Sequence, residues 1–140
     1  MRPIDALAQR LVQKGIGTLG STGTIFVGSD ADLPILTADK VLVTILETGG
    51  ERAERTHNGD SLKHPHFQVT TRHQRYPTAA ATAEAAYNAL GGDEFGMSNA
   101  KIGDVFFLVC RPMQEPFGMP SDANGRARVT FNVETTVRRG

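Results

Sequence analysis

The sequence predicts an α+β domain: a single mixed, mainly antiparallel sheet of four to five strands with two helices packed on it and long inter-strand loops. Three observations predict it. Apolar residues recur at helical spacing in only two segments. Elsewhere they alternate, or run continuously over short stretches bounded by Gly, Pro and Asn. The resulting order is helix, strand, strand, strand, helix, strand, strand, which one sheet carrying two helices satisfies.

The first helix begins at Pro3. Ile4, Leu7, Ala8, Leu11 and Val12 form one apolar stripe, and Asp5 favours the positive N-terminal end. Gly15 stops the helix after about 12 residues. Gly15–Gly23 reads as a loop. Thr24–Val27 is a short strand, followed by a loop marked by Asp30, Asp32 and Pro34. Val41–Thr48 is apolar on both faces, as in a central strand. Thr48–Pro65 has no hydrophobic periodicity and reads as a long loop. In His66–His73, Phe67, Val69 and Thr71 alternate with Gln68, Thr70 and Arg72, a strand.

Pro77 opens the second helix, which runs to Leu90 with Ala79, Ala83, Ala86, Tyr87 and Leu90 as its buried stripe. Alanines on that face permit close approach to a sheet. Gly91-Gly92 ends it. Val105–Cys110 is an apolar strand expected to be covered on both faces. Arg111–Arg126 is a second long loop with Pro112, Pro116 and Pro120. Val129, Phe131, Val133, Thr135 and Val137 then alternate with polar residues, the cleanest half-buried strand in the chain.

A chain of 140 residues is the size of one domain, here residues 1–140. It carries 15 Lys+Arg against 15 Asp+Glu, which disfavours nucleic-acid binding by bulk charge and favours association. The single cysteine, Cys110, excludes an intrachain disulfide framework. The longest apolar run is too short to span a membrane, and the first residues lack an apolar signal core, so no membrane or secretory role is expected.

The motifs that could carry chemistry fail on context. Gly15-Ile16-Gly17-Thr18-Leu19-Gly20 matches G-x-G-x-x-G, but follows a helix and precedes a strand, the reverse of a dinucleotide site. His57, His64, His66 and His73 lack zinc-ligand spacing and read as surface or interface residues. Asp30-Ala31-Asp32 lacks the glycine and closing glutamate of a calcium loop. Asp122-Ala123-Asn124-Gly125 is turn chemistry. Cys110 reads as a packed thiol, and no serine sits in a G-x-S-x-G elbow. No catalytic residue, metal or cofactor is expected.

The two long loops hold the candidate interface residues. The first carries Arg52, Glu54, Arg55, His57 and Lys63; the second carries Arg111, Glu115, Asp122, Arg126 and, just beyond it, Arg128. Interleaved charges of both signs suit contacts between copies of one chain. Arginine supplies most of the positive charge, and its planar fork favours interface ion pairs.

One family is similar to these residues taken in order. Gly23–Gly28 precedes an apolar strand ending in Glu47-Thr48-Gly49-Gly50. Arg55-Thr56-His57-Asn58-Gly59 and Pro65-His66-Phe67-Gln68-Val69 follow. An alanine-rich helix ends in Tyr87-Asn88-Ala89-Leu90; then come Gln114-Glu115-Pro116-Phe117 and Asp122-Ala123-Asn124-Gly125-Arg126. Over roughly residues 4–137 the chain resembles the tail-terminator and minor capsid proteins of long-tailed bacteriophages. The resemblance implies a structural virion protein that forms a homo-oligomeric ring, typically a hexamer, on the head-proximal end of a finished tail tube. Its partners would be further copies of itself, the major tail tube protein and a head-closure or connector protein. It would sit in the virion, after assembly in the host cytoplasm. DNA would pass through the lumen without specific binding, and Asp30–Asp39 or Glu51–Glu54 are expected to line it. The family brings no catalytic residues to carry over. The alternatives are a head-completion or neck protein and, in a different class, a small enzyme or ligand-binding domain using Cys110 or the histidines.

Overall fold

A computed structural model describes residues 1–19, 23–28, 40–55, 61–92 and 97–139. The elements are α1 (Pro3–Gln13), β1 (Ile25–Val27), β2 (Leu42–Arg55), β3 (Ser61–His73), α2 (Tyr76–Tyr87), β4 (Met97–Ile102), β5 (Val105–Pro112), β6 (Phe117–Met119) and β7 (Ala127–Arg139). A wide closing turn, Asn88–Gly92, follows α2. The α+β expectation holds, but the sheet is larger than four to five strands. Among the described residues it has seven, ordered β1-β2-β3-β7-β5-β4, with β6 pairing β7 beside the end of β5. All pairings are antiparallel except β1 with β2.

The apolar periodicities meet on one sheet face, in a main cluster and a smaller one of Ala79, Ala83 and Val129. Ile4, Leu7, Ala8 and Leu11 of α1 are buried, and so are Ala79, Ala83 and Ala86 of α2. They pack on the sheet face carrying Val43, Ile45, Phe67, Val69, Phe131, Val133 and Phe107. Gly15 closes α1 at φ 75°, a conformation glycine adopts without steric cost. The Tyr87 and Phe131 rings meet edge to face with centroids 5.7 Å apart. Full burial of each large side chain contributes about 1.5–3 kcal/mol, so this face supplies most of the stability.

Three expectations need correction. Thr48–Pro65 is largely not a loop: β2 runs to Arg55 and β3 starts at Ser61, so the two extend as one long hairpin. Residues 56–60 between them lie outside the described residues. Arg111–Arg126 contains the edge strand β6, and β4 was not foreseen. Last, β5 is not covered on both faces, since Val109 is 37% exposed while Phe107 and Cys110 are fully buried.

β3 and β7 pair along their whole length, from Ser61↔Arg139 to His73↔Ala127. β2 follows β3 less evenly, with register shifts between Glu47 and Gly49 and between Glu51 and Glu54. Such bulges bend a strand and increase its twist.

Candidate functional site

Away from the helices, the other sheet face carries Thr44, Thr70 and Thr130 in one row across β2, β3 and β7. All three are buried and hydrogen-bonded. Thr44 Oγ1 donates to the Thr70 carbonyl, Thr130 Oγ1 to the Val69 carbonyl, and the Thr70 and Thr130 hydroxyls lie 3.0 Å apart. Beside them Arg72 Nη1 donates to Thr44 Oγ1 at 2.9 Å. This is a polar layer, and a polar layer buried under protein must be satisfied.

Asp122 satisfies it from above. Its Oδ2 lies 3.6 Å from Arg72 Nε and accepts from Arg126 Nε at 2.8 Å. Its Oδ1 accepts from the Asn124 and Arg126 amides at 3.0 and 2.9 Å, the turn foreseen at Asp122–Gly125. Burial pushes the carboxyl upward, but the two amides and the Arg126 charge outweigh it, so its pKa falls below the ordinary carboxylate value. Arg128 Nε donates to the Pro120 carbonyl at 2.7 Å. Asp122, Arg126 and Arg128, read as interface candidates, are thus engaged within their own chain.

Further along the same face, His64, His66, Val109, Arg111, Glu134, Thr135 and Thr136 line a shallow depression. Arg111 is ion-paired with Glu134. His64 Nδ1 lies 3.1 Å from Thr136 Oγ1. The depression is lined mostly by polar and charged side chains. Sequence reading did not single out Glu134 or Arg72. The polar side of the alternation, Gln68-Thr70-Arg72 and Asn132-Glu134-Thr136, was the available signal.

The remaining candidates divide between the Arg55–Ser61 end of the sheet and the β6 side of β7. Arg52, Glu54 and Arg55 occupy the distal half of β2. Lys63 is exposed on β3, and Glu115 is exposed just before β6. His57 and the Asp30–Asp39 segment, including Asp30 and Asp32, lie outside the described residues, as does Gly20. The rest of the glycine motif folds on its own chain: the Thr18 carbonyl accepts from the Thr24 and Ile25 amides, and a Cβ at Gly17 would lie 2.4 Å from Thr24 Oγ1.

Cys110 is fully buried and its Sγ donates to the Leu90 carbonyl. Burial pushes its pKa up to about 12, so the thiol stays protonated and unreactive. Among the described residues no group of three or more His, Cys, Asp or Glu side chains could hold a metal ion. No described helix is long and apolar enough to cross a membrane.

Residues 10–139 match the family model of the bacteriophage tail terminator protein. No curated protein matches the sequence. Among solved structures the fold is similar to a chain in the virion of a native gene transfer agent particle. The TM-score is 0.61 at 14% identity, over 98% of this chain and 95% of that one.

Proposed function

Because the chain belongs to the bacteriophage tail terminator family, we propose that its copies close into a ring, a hexamer, on the head-proximal end of a finished tail tube. The ring ends polymerisation of the tube and offers a surface to the head-closure or connector protein. The family match across residues 10–139 carries this reading. DNA passes through the lumen without specific binding, in keeping with a chain of net charge zero. The exposed residues Lys63, Arg111 and Glu115, with Arg52, Glu54 and Arg55 on β2, are the contacts to neighbouring copies, tube and connector. Asp122 and Arg126 serve that surface indirectly, by holding the segment before β7 in place.

The test adds purified protein to polymerising tail tubes. Tubes are expected to stop at a uniform length, each with a ring at one end in electron micrographs. A protein that remains a strict monomer by native mass, even with tubes added, overturns the reading.

A further inference from the structure

We propose that copies of this chain join edge to edge: the open edge of β4 in one copy docks on the distal edge of β2 in the next, with Lys101 meeting Glu54. This deepens the ring reading and rests on it.

One row of directly opposed residues crosses the sheet, from the strand beside the start of α1 to the distal half of β2. It runs Lys101↔Phe106, Phe106↔Arg138, Arg138↔Leu62 and Leu62↔Glu54. The row therefore begins on β4 and ends on β2. Among the described residues neither strand has a second partner there, because β1 pairs β2 only over Val43–Ile45. A lysine stands at one end of the row and a glutamate at the other. Sheet continued at the same level sets these two register positions, of opposite charge, side by side.

An unpaired edge is a template for pairing with another chain. Asn99, at φ 53°, interrupts β4, so the regular edge is Ala100–Ile102. Three antiparallel steps separate β4 from β5, β7 and β3, and a fourth reaches β2, so β4 and β2 run the same way. Their pairing would be parallel, which is slightly weaker per residue, and the ion pair would set its register. The two edges differ, so the contact is head-to-tail, the kind that closes into a ring. A two-fold contact of β4 with β4 centred on Lys101 would instead oppose Lys101 to Lys101.

The test compares wild type, Lys101→Glu, Glu54→Lys and the double reversal by native mass with tail tubes present. Each single reversal should weaken assembly about tenfold or more, because like charges then face each other, and the double variant should regain it. Thermal melting of the unassembled variants should match wild type, since Lys101 is exposed. Separately, copies with Lys101→Cys mixed with copies with Glu54→Cys should give oxidised dimers that neither forms alone; Cys110 is buried and does not interfere. Wild-type rings with indifferent reversals and no mixed dimer would overturn the edge contact and leave the ring reading standing. A wild type that never assembles overturns both.

Discussion

Arg72 Nε lies 3.6 Å from Asp122 Oδ2, with the two side chains only 3% and 12% exposed, so a guanidinium on β3 anchors the segment that leads into β7. Asp122 also faces Arg126 and takes both amides of its own turn. Removing it takes away a carboxylate that two guanidinium groups share. Breaking a buried ion pair by deleting one partner costs about 3–5 kcal/mol. Asp122→Asn keeps the shape and loses the charge, so urea denaturation should show a loss toward the lower end of that range.

The same carboxylate gives stability an acid limb. Its folded pKa lies below the ordinary value of 3.8, so the unfolded chain binds the proton more readily. The Asp122 contribution is therefore fully present above the unfolded value and is lost as pH falls through the folded one. Wild type should lose this contribution as pH falls below about 4, and Asp122→Asn should show a shallower fall over that window. Parallel acid limbs would show that Asp122 does not couple to folding.

What the sequence could reveal followed from what each face of the sheet touches. β7 alternates because one face meets α1, α2 and Tyr87 while the other is polar, and alternation of that kind is legible. The distal halves of β2 and β3 outrun the helices. Neither face there must be apolar, and the bulges after Glu47 and Glu51 shift the phase of the alternation, which together erase the period-two signal. β6 has three residues in a proline-rich stretch, too few for a pattern. The Asp122 turn was legible from its own residues, but its tie to Arg72 needed the fold, because nothing local links a turn to a strand so distant in sequence.

The packing around Cys110 can be tested through its thiol. Burial raises its pKa to about 12, and a thiol held protonated does not attack a disulfide reagent. In native buffer at neutral pH, Cys110 should stay unmodified by an aromatic disulfide over hours. In denaturant it should react completely. Rapid modification of the native chain would contradict the packing around Leu90 and revive a catalytic role.

Gly50 bears on the edge that we assign to the neighbouring copy. It sits at φ 152° opposite Pro65, and a Cβ there would lie 2.0 Å from the His64 carbonyl oxygen. That oxygen is backbone, so the strand must move rather than a side chain. Gly50→Ala should cost about 1–3 kcal/mol locally, by prising β2 from β3 at this end while the helix-covered core stays closed. Hydrogen exchange should speed up at amides of 49–55 and 61–66 and remain unchanged in β7 around Phe131. Assembly with tail tubes should weaken in the same variant, because the β2 edge would no longer be held in line with the sheet. Unchanged exchange at 49–55 would show that the hairpin tolerates the methyl group and that Gly50 plays no part in presenting the edge.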